Sequence, residues 1–140
     1  GSPIPCGVVV ARKSYRDRIA RSIAYIGSVD TTITGSRNGH SPLFLWYAIQ
    51  KLGLSGLKAR ATHSLAMAAY TESRLQEAGI DAWRNPNAIT VVFPEPQEAI
   101  RHRWQLASEN GYSHIICMPN VQQEQIDEVV EAIAATLEPA

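Results

Sequence analysis

The residues richest in usable chemistry lie in 31–42, TTITGSRNGHSP. Hydroxyls of Thr31, Thr32, Thr34 and Ser36, glycines at 35 and 39, the Arg37 guanidinium and a helix start at Ser41 combine donors with a positive helix end. Such a set suits a phosphate or a carboxylate, and a polar loop that only caps its helix accounts for the same residues. The stretch is no Walker loop, because no Gly-Lys-Ser/Thr follows at the needed spacing, and it is no GxGxxG turn after a strand. His40, His63, His102 and His114 show no paired-ligand spacing, and Cys6 and Cys117 form no CxxC, so a zinc site is not expected. Apolar surroundings expected at both cysteines would raise a thiol pKa, and there is no GxSxG elbow, which leaves no nucleophile candidate. His40 reads as packing at the loop end and His114 as a satisfied buried histidine on a strand. Trp46, Trp83 and Trp104 each fall on an apolar face and read as core.

The elements that must position this loop are set by periodicity. Residues 8–11 (VVVA), bounded by Pro5, Gly7 and the basic pair Arg12 and Lys13, predict a buried strand. Ser14 with Asp17 resembles a capping box, and Tyr15, Ile19, Ile23 and Ile26 recur at helical spacing until Gly27. Residues 28–39 lose all periodicity and predict a long polar loop. Ser41 as N-cap and Pro42 at the first helical position then open a helix whose apolar face is Leu45, Trp46, Ile49 and Leu52. A break over 53–56 precedes another helix over 57–78, stopped by Gly79. Beyond it, short strands at 82–84 and 89–93 flank an Asn-Pro-Asn turn, and a helix carries Ile100, Trp104 and Ala107 up to Gly111. A strand over 114–118 leads to a last helix, capped by Asn120 with Gln123, whose stripe is Ile126, Val129, Val130, Ile133 and Leu137. Residues 80–140 therefore read as a β-β-α-β-α unit. Residues 1–79 hold three helices and one strand, whose hydrogen-bonding edges need partners that this part does not offer.

At 140 residues with 45% hydrophobic content the chain has the size and apolar fraction of a folded domain, which excludes disorder as the default. Thirteen Lys and Arg balance thirteen Asp and Glu, so the chain is not expected to hold nucleic acid by counterion release. That balance hides a split: residues 1–70 carry nine basic and two acidic side chains, and residues 71–140 carry four and eleven. The basic part is the place to expect an anionic ligand. Apolar runs too short for a bilayer and sparse cysteines point to a cytoplasmic protein without a membrane partner.

Residues 26–47 (IGSVDTTITGSRNGHSPLFLWY) resemble the signature of the pyridoxal-phosphate-dependent group II decarboxylases, with the bacterial histidine decarboxylases nearest and plant serine decarboxylases similar. Residues 1–7 (GSPIPCG), 87–94 (NAITVVFP), 103–107 (RWQLA) and 114–121 (HIICMPNV) carry the same likeness, in order, to about Leu137. The resemblance implies an α/β chain of the fold type I class of pyridoxal-phosphate-dependent transferases. Residues 1–79 would be the C-terminal part of the large cofactor-binding domain and residues 80–140 the small α+β C-terminal domain. It implies pyridoxal 5'-phosphate as cofactor, an amino-acid substrate with histidine favoured, and a homodimer. The Schiff-base lysine would lie just upstream of Gly1, so the chain would be a fragment, inactive alone and with no catalytic residue of its own. The rest of the large domain would also supply the strands that residues 8–11 lack.

Carried over residue by residue, Ser36 matches the position that reaches the cofactor phosphate of the neighbouring subunit, with Gly35 and Arg37 flanking the same anion site. His114 matches a small-domain strand position near the substrate carboxylate, and His40 ends the motif as a second substrate-side candidate. Lys13, Lys51 and Lys58 read as surface residues. The rival readings are decarboxylation of serine or another amino acid, a non-enzymatic ligand-binding domain centred on 80–140, and a dimerisation module.

Overall fold

The computed structural model describes residues 4, 6–23, 27–30 and 38–137. The chain divides into two compact units, Gly1–Leu54 and Ser55–Ala140.

In the first unit, residues 8–11 form no strand, and Val8, Val9 and Val10 are 63%, 89% and 90% exposed. A strand exists only where another edge pairs with it, and none does so here among the described residues. Helix α1 runs Lys13–Ile19, shorter than its periodicity predicts, and has no side-chain cap: Arg12 stands at the N-cap position, so the Ser14 capping box does not form. It buries no residue, and Ala20 leaves it in an extended conformation. With no apolar face covered, a short helix has only local terms to hold it, among them the Lys13–Asp17 ion pair one turn apart. Past Ala20 the chain forms a hairpin instead of more helix: β1 (Arg21–Ile23) pairs antiparallel with β2 (Ser28–Asp30), Ser22 opposite Val29. Gly27, at φ 63°, supplies the left-handed residue of the connection.

Helix α2 runs His40–Glu77. Asn38, not Ser41, caps it, its Oδ1 accepting the Ser41 backbone N–H at 2.9 Å and the Ser41 hydroxyl at 3.2 Å. The expected four-residue break narrows to Gly53, which adopts φ 60°, ψ −174°, a conformation essentially restricted to glycine. Trp46 and Ile49, expected on a buried face, are exposed.

The second unit is built around the rest of α2, on which Ser64, Met67, Ala68, Thr71 and Leu75 are buried at helical spacing. Gly79, at φ 78°, ends the helix in a Schellman arrangement: the Ile80 N–H bonds Leu75 O and the Gly79 N–H bonds Gln76 O, both 2.9 Å. Strand β3 (Thr90–Pro94), helix α3 (Glu98–Trp104), strands β4 (Ser108–Glu109) and β5 (Tyr112–Ile116) and helix α4 (Gln123–Ala134) complete the unit. The sheet is antiparallel in the order β3-β5-β4. The predicted strand at 82–84 is reduced to one bridge, Trp83 with Val92. The helix expected to reach Gly111 stops at Trp104, because Gln105 turns left-handed (φ 52°) and Ser108 and Glu109 join the sheet.

Alternation along β3 sends Val91 and Phe93 inward, where they meet Leu75, Cys117, Ile126, Val129, Val130 and Ile133 in one apolar core. The α4 stripe is as the sequence predicts except for the exposed Leu137, and the cap is a Gln122–Gln125 capping box, two residues beyond Asn120. Trp104 packs on the core, but Trp83 is 46% exposed. Polar ties lock α2 to α4: Asp127 Oδ1 accepts from the Tyr70 hydroxyl (2.8 Å) and from Arg74 Nε (2.9 Å). The His63 ring, also on α2, lies 2.9 Å from Val121 O, just ahead of α4.

Candidate functional site

Ser36, Gly35 and Arg37 lie outside the described residues. The described element beside them is the helix they precede. Residues 38 and 39 lead into α2, whose first turn holds Pro42, a residue with no N–H to leave unsatisfied. The N-terminus of α2 carries the positive end of its dipole, and the hydroxyl, amide and guanidinium donors that Ser36, Gly35 and Arg37 supply by residue type are the chemistry a phosphate requires. His40 starts α2 as an exposed ring stacked on Phe44, with centroids 6.4 Å apart.

His114 belongs to the second unit, in the middle of β5 with its side chain half-buried. It is not the satisfied core histidine of the simplest sequence reading: alternation turns Ser113 into the core, at 1% exposure, and His114 to the opposite face. Val92 is its direct partner on β3 and in turn pairs with Trp83, so Trp83, Val92 and His114 form one row across that face. Beside this row a cavity of about 300 Å³ is lined by Val92, Ala107, Ser108, Glu109, Tyr112 and His114, with Ser113 below. The hydroxyls of Ser108 and Ser113 bond each other at 2.5 Å and pin β4 against β5. Sequence reading missed Glu109 and Tyr112. Tyr112 was legible, since it lies two residues before His114 and so shares its face, whereas β4 is too short to leave a periodic signal.

Cys117 is fully buried, and burial holds its thiol above the ordinary range against a smaller opposing pull from the Thr71 hydroxyl at 3.4 Å. Cys6, expected in apolar surroundings, is exposed instead. Among the described residues no group of three or more His, Cys, Asp or Glu could hold a metal ion, and no helix is long and apolar enough to cross a membrane.

No protein-family model matches the chain. Whole-sequence comparison does find relatives. The chain is 45% identical to a histidine decarboxylase of Mesorhizobium japonicum over 96% of its length and 49% identical to one of Morganella morganii over 96%. It is 45% identical to serine decarboxylase 2 of rice, again over 96%. It spans about a third of the curated relatives it matches, 36% of each of those two histidine decarboxylases and 29% of the rice protein, and corresponds to the C-terminal portion of the histidine decarboxylases. The solved structure of L-methionine decarboxylase from Streptomyces sp. 590 superposes with a TM-score of 0.68 at 32% identity, covering 82% of this chain and 26% of that one.

Proposed function

We infer that this chain is the C-terminal portion of a pyridoxal-phosphate-dependent amino-acid decarboxylase of fold type I, and that the whole protein converts L-histidine to histamine and carbon dioxide. The observation that carries the reading is identity of 44–49% with several histidine decarboxylases over nearly the full chain. A specific observation keeps serine as the second substrate: the rice serine decarboxylase is 45% identical, the same as the Mesorhizobium histidine enzyme. In the whole protein, residues 1–79 would complete the large domain and 80–140 form the small one.

Bound in the whole protein, pyridoxal phosphate would supply an electron sink for the pair left when the α-carboxylate departs as carbon dioxide. The contribution of this chain is positional. Ser36, the Gly35 amide and Arg37, which precede α2 in sequence, would hold the phosphate across a homodimer, which fits the donor chemistry of that segment. His114 would face the substrate from a strand of the small domain, where packing fixes its backbone. His40, at the start of α2, is a second substrate-side candidate. A cytoplasmic setting belongs to the same reading and is supported by two free thiols.

The test is a decarboxylation assay on the full-length protein with added cofactor and histidine, serine or methionine in parallel. Histamine and carbon dioxide from histidine in clear excess over the other amines is the expected result. Turnover of serine alone moves the assignment to the second substrate, and no turnover of any sinks it. The 140-residue chain given the same cofactor is expected to release no amine, because Lys51 and Lys58 are exposed helix residues and Lys13 is exposed and paired to Asp17.

A further inference from the structure

Residues 71–140 carry only four basic side chains, and two of them, Arg101 and Arg103, stand with His102 in the last turn of α3. A cavity of about 320 Å³ opens there, lined by Arg101, His102, Gln105, Leu106 and Ala107, with no carboxylate in its wall. Two acids stand close without lining it: Glu95 Oε1 lies 3.0 Å from Arg101 Nη1, and Glu98 Oε1 lies 3.3 Å from His102 Nε2. Arg101 Nε is nevertheless buried with no hydrogen-bond partner, and Trp104 Nε1, one turn on, is in the same condition. The end of α3 is therefore short of acceptors, not of donors. Gln105 closes the helix at φ 52°, a left-handed conformation that glycine takes at lower cost, and it too lines the cavity.

We propose that this cavity binds a small oxyanion, inorganic phosphate or a short carboxylate. The sign follows from the wall, whose polar side chains are a guanidinium, an imidazole and an amide. The geometry follows from arginine. Glu95 takes Nη1, and the side-on edge, where Nε and Nη2 present parallel N–H groups, matches two oxygens of one anion. The Gln105 amide adds a neutral donor, and Leu106 and Ala107 supply an apolar border that limits competition from water. The negative pole of α3 opposes an anion only weakly, because the helix is seven residues long and the Leu106 N–H already meets Arg101 O at 3.0 Å. Gly35, Ser36, Arg37, His40 and His114 take no part, and Ala107 is the one residue shared with the cavity beside His114. The site therefore stands whether or not the decarboxylase reading holds.

Inorganic phosphate and acetate, titrated separately at constant ionic strength into the purified 140-residue chain, provide the probes, with backbone amide and arginine Nε–H NMR signals as readout. Saturable shifts centred on 101–107, the Arg101 Nε–H among them, are expected, and the tighter of the two anions identifies the source. Arg101→Lys keeps the charge but loses the fork, and should weaken binding about tenfold, the scale of one charge-assisted hydrogen bond. Gln105→Gly accepts the left-handed backbone and removes the amide, so it should weaken binding without lowering Tm. Glu95→Gln removes the competing carboxylate and should tighten binding. Dispersed methyl signals of Val91 and Val130 report that each variant is folded. Absence of saturable shifts with both anions, shifts centred on 31–42 instead, or unchanged affinity in folded Arg101→Lys or Gln105→Gly would overturn the proposal. Decarboxylase activity of the full-length protein is a separate measurement that none of these outcomes decides.

Discussion

Asp127 shows how one side chain joins two helices. It accepts from Arg74 and from Tyr70, and the guanidinium first and the phenol second hold its carboxyl below the ordinary value of 3.8. The same bond pushes the Tyr70 hydroxyl above its usual 10. A depressed acid contributes stability above its unfolded pKa and loses it as pH falls through the folded one; a raised phenol contributes at lower pH and loses it as pH climbs past its folded pKa. Asp127→Asn should therefore lower Tm near neutrality, and the gap from the parent chain should close as pH drops below 3.8 and the parent carboxyl is protonated. Thermal unfolding followed by circular dichroism at several pH values checks this, and a pH-independent gap would remove the ionised bond as its cause. The residue scale is also where sequence reading had least purchase. Nothing in the spacing of Tyr70, Arg74 and Asp127 marks a contact between positions 57 residues apart.

At the scale of elements, legibility followed how local the determinant was. The α4 stripe and the Gly79 stop were readable because periodicity and a left-handed terminus are written in neighbouring residues. Residues 8–11 and α1 depart from their sequence pattern because a strand or an amphipathic face needs something distant to pair with or cover it. Ile23 has helical spacing yet lies in a hairpin, where Gly27 provides a tighter local solution. Gly79 tests the local rule directly. A Cβ there would meet nothing within 4 Å, so Gly79→Ala should cost only the left-handed backbone term, roughly 1–2 kcal/mol. Urea unfolding should show a lower midpoint with an unchanged m-value. No loss of stability would mean that the helix end had re-formed without its Schellman bonds.

For the whole molecule, every buried residue among those described falls between Ser64 and Ile133, and no described residue of Gly1–Leu54 is buried. The charge split and the donor-rich loop made the basic part the natural place to seek a site, and of the residues expected there Gly35, Ser36 and Arg37 lie outside the described ones, leaving only His40 in view. The second unit was legible as a small α/β layer, but its sheet face was not, since it depends on register. Residues 55–140 expressed alone should unfold cooperatively at a urea midpoint close to that of the full chain, because the core is complete within them. A non-cooperative transition would show that residues before 55 are needed.

The two thiols give this molecule a clock. Cys6 lies open and Cys117 is sealed with Phe93 and Leu75 in the core cluster, its proton held by burial. A chromogenic disulfide reagent should consume one equivalent at once and a second only as fast as the core opens. The slow phase then reads the lifetime of the closed state in native buffer, without denaturant, and every core substitution can be ranked by how far it shortens that interval.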